Sequence, residues 1–421
     1  MNKRKYLLHT ALLAVVLAAG FYAKRTLDTG NYDRIYPMTE LTQNMRTHCV
    51  GRLLIDLPEG TSWSADASGA RLSGYLTLSV TTDVSQEQYE ALIAQRWQEL
   101  EKLEKRSARY IDSPATKASP LENSAVFAYG FRENEGPDLD GVVRKNIFHD
   151  AEGYLWRDGT LFKLGPTLNA SEEITNWLPR LHARKNDEIP EKPGLCLNGA
   201  FVDAYYDLDG FPEAASWRFK LPNHFGLVVR HSKVWQPEQP MLERYRESKS
   251  EFASIVADVL TEPGVVAGRK EYRAKQRVVA GMEGDEYVVG ATGGDSNTNE
   301  YETNAGGEWN FPGAVTPNAM PSININLETT FETVGKPAEL GSFATPEEAP
   351  GYPSEAEFFE VWDGILNSIR WRPGSLVPPP PGSTPPIGYK NARPMPATGT
   401  DYSLEEFLAS LKPKEDWMED L

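Results

Sequence analysis

The chain of 421 residues is poor in the side chains from which enzymes build nucleophilic and metal centres. It has two cysteines and six histidines. The histidines show no His-x-x-His or His-Glu-x-x-His spacing, and two cysteines alone cannot form a four-ligand zinc site. The Gly-x-Ser-x-Gly turn that positions the serine of an α/β-hydrolase does not occur. The sequence therefore predicts no catalytic residue, no metal ligand, no cofactor and no enzymatic activity.

A basic segment followed by an apolar one marks the N-terminus. Lys3, Arg4 and Lys5 precede an uninterrupted apolar run over residues 11–19, which is the layout of a secretory signal. Small residues at 18–20 would permit cleavage. Without cleavage, residues 7–23 would form a single, short inner-membrane anchor with the rest of the chain outside the cytoplasm. We expect residues 1–25 to be a signal peptide or membrane anchor and the protein to be periplasmic, either soluble or tethered.

The rest of the chain is acidic. The net charge is −17, although all charged residues within the first 25 positions are basic. A negative surface repels nucleic acid and anionic lipid, so we expect no nucleic-acid partner. The charge would either steer a basic protein partner towards the chain or serve solubility alone.

Two parts of the sequence follow one plan. Cys49 and Cys196 each open a segment that contains a glycine and apolar residues and ends at Asp56 or Asp203. A strand, a helix, further strands and a closing helix follow in both halves. We expect an α+β fold of two related domains, each a mainly antiparallel sheet with two packed helices, derived from an internal duplication.

Local signals fix several elements within these halves. Capping boxes at Ser85 with Gln88 and at Ser354 with Glu357 predict the starts of two helices. A further helix is expected over residues 241–260, and a closing helix of the first half is expected to run from 171 to 181. Alternating apolar residues over 323–327 predict a half-buried strand. The pair at 158–159, Asp-Gly, predicts a two-residue β-hairpin.

Composition also sets the domain boundaries. A polar, proline-bearing stretch between the halves predicts a linker, and the chain turns proline-rich near its C-terminal end. We expect an N-terminal α+β domain over residues 49–182, a linker over 183–195 and a C-terminal α+β domain over 196–372. Residues 373–421 are expected to form a proline-rich tail with a short terminal helix.

The two cysteines allow one pairing. An exported protein reaches an oxidising compartment, where Cys49 and Cys196 could form a disulfide that joins the two domains. The alternative is a pair of buried thiols at equivalent strand positions of a duplicated fold.

A glycine-rich, acidic stretch over residues 290–317 is a candidate for partner contact. It contains glycine pairs at 293–294 and 306–307 but lacks the lysine and helix start of a phosphate-binding loop. We interpret it as a long surface loop, a common location for binding residues. Disorder is the competing interpretation.

The segments around the two cysteines carry a family resemblance. Cys-Val-Gly at 49–51 with Leu-Ile-Asp-Leu-Pro at 54–58, followed by Gly-Leu-Cys-Leu-Asn-Gly-Ala-Phe at 194–201, resembles the class-four lipase-effector immunity proteins of type VI secretion. The resemblance covers residues 49–372. It implies a periplasmic protein that binds and sterically inhibits a secreted phospholipase effector, and so protects the producing cell from itself and from sister cells.

In that family the two domains would act as a pincer on the cap region of the effector. The resemblance assigns no partner-binding residue, because the matching motifs are structural. The alternative function is a periplasmic lipid- or lipoprotein-binding envelope module without enzymatic activity, and a hydrolase with an unfamiliar site is a third possibility.

Overall fold

A computed structural model describes residues 40–64, 69–73, 75–102, 113–137, 143–206, 213–234, 236–247, 264–314, 320–345 and 347–378. The expected signal or anchor over residues 1–25 and the expected terminal helix of the tail lie outside these residues. Among the helices of the described ranges, none has both the length and the apolar character required to span a bilayer.

The N-terminal half consists mainly of strands. They are β1 (Met45–Val50), β2 (Leu53–Pro58), β3 (Ser62–Trp63), β4 (Gly69–Ser73), β5 (Leu76–Thr81), β6 (Thr116–Ala118), β7 (Ser124–Pro137), β8 (Val143–Arg157), β9 (Thr160–Leu168) and β10 (Leu181–Ala183). The helices are α1 (Glu40–Gln43), α2 (Gln86–Glu101) and α3 (Ser171–Trp177), and a 3₁₀ turn (Leu178–Arg180) follows α3.

The C-terminal half has the same character. Its strands are β11 (Gly194–Leu197), β12 (Ala200–Asp203), β13 (Ala214–Leu221), β14 (Phe225–Ser232), β15 (Val265–Val279), β16 (Met282–Asp295), β17 (Glu300–Phe311), β18 (Ser322–Val334) and β19 (Arg370–Trp371). Residues 241–247 are helical, and α4 (Glu355–Ser368) precedes β19. The remainder of the helix expected over 241–260 falls outside the described residues.

Strands from both halves form one antiparallel sheet. Its order is β15-β16-β17-β18-β14-β13-β4-β5-β9-β8-β7-β6, and β3 also pairs with β13. The halves join where β13 pairs with β4, from Ala214 opposite Arg71 to Ser216 opposite Gly69. Counted outward from this junction, both halves have the same strand order, yet their sheets are continuous instead of separate.

Two small sheets exchange strands between the halves. The first has the order β1-β2-β19, and the second has the order β10-β12-β11. The last strand of the C-terminal half, β19, pairs with β2, so that Arg370 lies opposite Leu54. The last strand of the N-terminal half, β10, pairs with β12, so that Leu181 lies opposite Val202. Each half therefore completes a sheet that begins in the other.

The helix starts predicted from capping boxes are confirmed for α2 and α4, where the serine and the residue three positions later exchange both hydrogen bonds. The closing helix of the first half is shorter than expected. It ends at Trp177, Pro179 lies in the 3₁₀ turn, and Leu181 belongs to β10. Proline has no amide hydrogen to donate and its ring crowds the preceding turn, which explains the early end.

The Asp158-Gly159 hairpin is also confirmed. Both residues have positive φ, +48° and +78°, as a type I′ turn requires. Arg157 and Thr160 pair across the turn between β8 and β9. The alternation predicted at 323–327 is present too, because Ile323, Ile325 and Leu327 are fully buried in β18.

The core lies between the sheet and the helices. A main cluster contains residues of both halves, including Trp217 and Phe162 of the sheet and Trp362 of α4. A separate cluster lies under α2, where Phe127 and Tyr154 are buried.

Ion pairs fasten the helices to the sheet at the edges of this core. In α2, Nε of Arg96 donates to Glu152 Oε1 of β8 at 2.6 Å. Beside α4, Arg273 of β15 donates to the carboxylates of Glu286 and Asp363 at 2.9 and 2.7 Å.

Candidate functional site

Cys49 and Cys196 meet where the two small sheets touch. Their sulfur atoms are bonded and their Cα atoms lie 5.8 Å apart. Both residues are completely buried. Beside them, the amide of Gly51 donates to the carbonyl oxygen of Cys196 at 3.0 Å, and the amide of Cys196 donates to the carbonyl oxygen of Gly51 at 2.8 Å. The two halves are thus linked here by one covalent bond and two backbone hydrogen bonds.

Gly51 is required at this contact. Its φ of +64° lies in the left-handed region, and a Cβ atom would lie 2.6 Å from the Trp217 ring. Trp217 Nε1 in turn donates to the carbonyl oxygen of Cys196 at 3.1 Å. Gly51, two positions after Cys49, therefore allows Trp217 of the C-terminal half to pack on a turn of the N-terminal half.

Two arginines fix the chain ends of the exchanged strands. Arg184 follows β10, and its guanidinium donates to main-chain carbonyl oxygens of Lys185, Asn186, Glu188, Leu197 and Ala200. Arg372 follows β19 and donates to those of Pro190, Lys192 and Gly194. Burial lowers the pKa of each of these two guanidinium groups to about 10. The two arginines thus play corresponding roles in the two halves.

A buried ion pair crosses the same junction. Arg52 has no exposed surface and donates to both carboxylate oxygens of Glu213, at 2.8 and 2.6 Å. His231 Nε2 lies 2.8 Å from Glu213 Oε1. Burial raises the pKa of Glu213, but the neighbouring Arg52 and His231 outweigh it and hold the pKa well below its usual range. Arg52 also donates to the carbonyl oxygen of Ser375, which ties the beginning of the C-terminal tail to this point.

Away from the junction, β7 and β8 extend beyond the rest of the sheet. Residues 132–137 of β7 pair with residues 143–148 of β8, and we call this two-stranded segment the β-arm. β9 pairs with β8 only from Asp150 onward, and β6 pairs with β7 only at residues 126–128. In the part of the chain that the structure describes, no third strand pairs with the β-arm.

The β-arm exposes apolar side chains. Val143 is 61% exposed and Ile147 is 58% exposed. They stand four residues apart in one strand, so they share a face with Lys145 between them. Lys145 Nζ lies 2.7 Å from Glu133 Oε1 of the facing strand. The sequence did not reveal that these residues are exposed. Alternation of side chains along a strand does not show which strands lack a neighbour in the sheet.

The base of the β-arm is held firmly. His149 Nε2 lies 2.9 Å from Ser171 Oγ at the start of α3. The ring of Phe131 stacks on His149 with centroids 5.3 Å apart. Arg132 donates to both carboxylate oxygens of Asp150 at 3.0 Å. The β-arm therefore leaves the sheet at a fixed position.

The prediction of a surface loop over residues 290–317 is wrong. Residues 290–295 belong to β16 and residues 300–311 to β17, with a turn between them; residues 315–319 lie outside the described ranges. Its glycines serve close packing: a Cβ atom at Gly294 would lie 2.4 Å from the Tyr301 ring, and one at Gly307 would lie 3.0 Å from the Trp362 ring. The glycines of this stretch mark tightly packed strands and not a loop.

The outer face of β17 and β18 is acidic. Glu300, Glu302, Glu328 and Glu332 are all exposed there, and Glu302 lies directly opposite Glu332. Like charges in that position repel each other. Part of the negative charge found in the sequence is therefore concentrated on one surface of the C-terminal half.

No group of three or more His, Cys, Asp or Glu side chains within the described ranges could hold a metal ion. The features that stand out are instead the linked halves, the projecting β-arm and the acidic strand face. They define the chain as a protein of two linked halves built mainly from antiparallel strands.

Two family models match this chain. The Tle cognate immunity protein 4 N-terminal domain matches residues 46–176, and the Tle cognate immunity protein 4 C-terminal domain matches residues 188–374. The chain therefore belongs to the Tle cognate immunity protein 4 family. This result confirms the resemblance seen around Cys49 and Cys196.

Solved structures show the same fold. The apo immunity protein TplEi of the type VI secretion system of Pseudomonas aeruginosa is 20% identical, with a TM-score of 0.55, over 80% of this chain and 100% of that one. A chain of the Tle4–Tli4 complex is 20% identical with a TM-score of 0.56 and the same coverage. TplEi bound to an "L" peptide is 21% identical with a TM-score of 0.53, over 79% of this chain and 99% of that one. No curated protein sequence matches this chain.

Proposed function

We propose that the protein is a periplasmic immunity protein that binds a type VI-secreted phospholipase and blocks its activity. The observation that carries this proposal is the match of both halves to the two domains of one immunity-protein family. One structurally similar chain comes from a Tle4–Tli4 complex. The cognate phospholipase effector would be the partner, and the protein would protect the producing cell and its sister cells.

Inhibition would be steric and would need no chemistry from the immunity protein itself. A protein that binds only the closed effector shifts the effector population away from the state that admits lipid. The shift is limited by the difference in affinity for the two states. The immunity protein would therefore bind tightly, with nanomolar affinity or better, through an interface of at least about 1,600 Å².

The linked halves favour such binding. The β13–β4 pairing, the exchanged strands β10 and β19, and the Cys49–Cys196 bond all connect the halves before a partner arrives. Surfaces that are already positioned lose less conformational entropy on binding. This arrangement supports an inhibitor that engages the cap region of the effector with both halves at once.

The N-terminal sequence supports the proposed periplasmic location. The basic and apolar N-terminal residues predict delivery across the inner membrane by a cleaved signal or a single anchor. A disulfide between Cys49 and Cys196 would form in the oxidising periplasm. Effectors that hydrolyse phospholipids from the periplasmic side would meet the protein there.

An internal duplication would account for the architecture. Both halves have the same strand order outward from the β13–β4 junction. Cys49 and Cys196 pair across their hairpins with Leu54 and Phe201, at the same spacing. The amides of Arg184 and Arg372 donate to the residues three positions after each cysteine. These correspondences support two related domains near 49–182 and 196–372, with a linker between them.

The test begins with a search for a lipase gene beside the gene of this protein, and the purified protein is then combined with the lipase found there. We expect the two to co-purify and phospholipid hydrolysis to be lost at a 1:1 molar ratio. The protein alone should hydrolyse no phospholipid. Full lipase activity in the presence of excess protein would refute the proposal, and binding to vesicles without binding to the lipase would favour a lipid-binding envelope module.

A further inference from the structure

The outer face of the sheet carries a group of basic side chains where the two halves join. The strands β4, β13 and β14 are neighbours at this junction. Their exposed basic residues are Arg71, Arg218, Lys220 and Arg230, and we call this group the basic face. Side chains alternate along β13, so its basic residues point away from the buried Trp217 and Phe219. Both halves contribute to the basic face, because β4 belongs to the N-terminal half.

The register of these strands places the four charges close together. Arg71 lies opposite Ala214 of β13, and Arg230 lies opposite Ser216. Directly opposite residues of an antiparallel pair share one face of the sheet. Residues 214–220 extend over roughly 20 Å and three strands are about 10 Å wide, so the basic face covers on the order of 200 Å².

Within the described residues, none of these four side chains takes part in an ion pair. Arg230 donates to Asn324 Oδ1 at 3.0 Å, but the amide is neutral. Glu328 lies opposite Gly226 of β14 and belongs to the acidic face of β17 and β18. The charge of the outer face therefore changes sign between β14 and β18. Positive charge that is not neutralised locally attracts an anionic partner.

The sequence supplies an anionic segment near its C-terminal end. Residues 415–420 read Glu-Asp-Trp-Met-Glu-Asp, and they lie outside the described ranges. Four carboxylates stand within six positions, and no basic residue separates them. The tryptophan, Trp417, adds a ring of the kind that attracts an arginine guanidinium. The sign and the number of these charges match the basic face.

The tail leaves the folded part of the chain beside the basic face. Arg52 donates both to the carbonyl oxygen of Ser375 and to the carboxylate of Glu213, which directly precedes β13. That end of β13 is the one that lies opposite Arg71. The described chain ends three residues after Ser375, at Pro378. The 36 residues from 379 to 414 can span up to about 120 Å, which is several times the length of the basic face.

We propose that residues 415–420 dock on the basic face of the same chain. Single ion pairs at a protein surface are weak. A tethered segment, however, meets its site at an effective concentration in the millimolar range, so a few such pairs hold it in place. The docked segment covers the line along which the two halves join, and another anionic molecule has to displace it to reach the basic face. This inference does not depend on the proposed function.

Fluorescence quenching in the full-length chain tests the contact. Bimane attached to Ser216→Cys, in the middle of the basic face, is quenched by a tryptophan ring only at close range. We expect Trp417→Phe to raise the emission of this label at least twofold. Thr330→Cys, at an exposed position on the acidic face of β18, is the matched label site, and Trp417→Phe should leave the emission there unchanged.

Two features of the chain make this measurement selective. Cys49 and Cys196 are bonded to each other and buried, so only the introduced cysteine reacts with the label. Trp217 is next to the labelled position in the sequence, but it is present in every variant. A change in emission on Trp417→Phe therefore reports the tail alone.

Charge reversal tests whether the contact is electrostatic. Arg218→Glu/Arg230→Glu should abolish the quenching, and a high concentration of sodium chloride should weaken it, because salt screens exposed charges. Lys185→Glu/Lys336→Glu reverses two exposed lysines outside the basic face and should leave the quenching in place. Equal urea midpoints would show that all variants are folded.

A Ser216→Cys label whose emission does not respond to Trp417→Phe would overturn the proposal, and so would quenching that persists after charge reversal. In the first case the same label identifies what covers the basic face. Emission that changes with protein concentration would indicate a second copy of the chain, and emission that changes on addition of anionic vesicles would indicate lipid headgroups.

Discussion

The Cys49–Cys196 bond should be a major source of stability, and its removal is the sharpest test of how the halves are joined. The bonded residues are 147 positions apart in sequence. In the chain-entropy model, a cross-link over a loop of that length lowers the entropy of the unfolded state by an amount worth about 5 kcal/mol at 25 °C. Measured disulfides usually contribute about 2–4 kcal/mol. We therefore expect a loss of about 2–5 kcal/mol.

The perturbation is the Cys49→Ala/Cys196→Ala double variant, together with reduced wild-type protein. Alanine is preferred to serine because both sites are completely buried and a hydroxyl group there would need a new hydrogen-bond partner. The backbone hydrogen bonds between Gly51 and Cys196 and the exchanged strands remain in the variant. The folded structure should thus persist, and the change should fall mainly on the unfolded chain.

The assay is urea unfolding of the oxidised, reduced and double-variant proteins, followed by tryptophan fluorescence. The free energy of unfolding should change by about 3 kcal/mol per molar urea, so the urea concentration at the unfolding midpoint should fall by about 1 M without the bond. The slope should also increase without the bond, since a less constrained unfolded chain exposes more surface. Reduced wild type and the double variant should unfold together.

Equal midpoints for the oxidised and reduced proteins would refute the reasoning. Mass spectrometry provides an independent check that the bond forms. Protein taken from the periplasm, denatured and alkylated without reduction should carry no label. Two labelled thiols would show that the cysteines remain free and buried.

Four further substitutions test the junction. Gly51→Ala should lower the free energy of unfolding by about 2–4 kcal/mol, because it forces a side chain into positive φ against a tryptophan ring; a thermal melt that matches wild type would contradict this. Glu213→Gln leaves Arg52 without its ion pair and should cost about 3–5 kcal/mol at pH 7. The pKa of Glu213 is depressed in the folded state, so its contribution is present above about pH 4.5 and is lost as the pH falls; the variant should therefore lose less stability between pH 5 and 3 than wild type does. Arg184→Met and Arg372→Met should each cost about 2–4 kcal/mol by leaving carbonyl oxygens unpaired, and a large difference between them in chemical denaturation would argue against corresponding roles.

Elements governed by neighbouring residues could be predicted from the sequence. The capping boxes at Ser85 and Ser354 start α2 and α4 where expected, because a serine and a residue three positions later satisfy each other's backbone groups. The Asp158-Gly159 hairpin also depends on two adjacent residues, which must both adopt positive φ. Signals of this kind depend on residues only a few positions apart, so they do not depend on the tertiary fold.

Pairing between distant strands could not be predicted in the same way. The junction of β13 with β4 joins Ala214 and Ser216 to Arg71 and Gly69 through backbone groups that every residue type offers. The exchange of β10 and β19 likewise uses strands of three and two residues, too short for a periodic pattern. The location of the β-arm depends on the same information, since it is defined by where neighbouring strands stop.

Because of the exchanged strands, the two domains do not form independent folding units. Separated at the linker, the N-terminal half would lose β19 beside β2 and the C-terminal half would lose β10 beside β12. Each half would also expose the edge of β4 or β13 and a buried cysteine, and unpaired strand edges favour aggregation. The boundary that is visible in the sequence therefore does not separate two independently stable units. A partner that contacts both halves would bind a single structure. In that structure the β-arm and the C-terminal surfaces keep fixed relative positions, as tight steric inhibition requires.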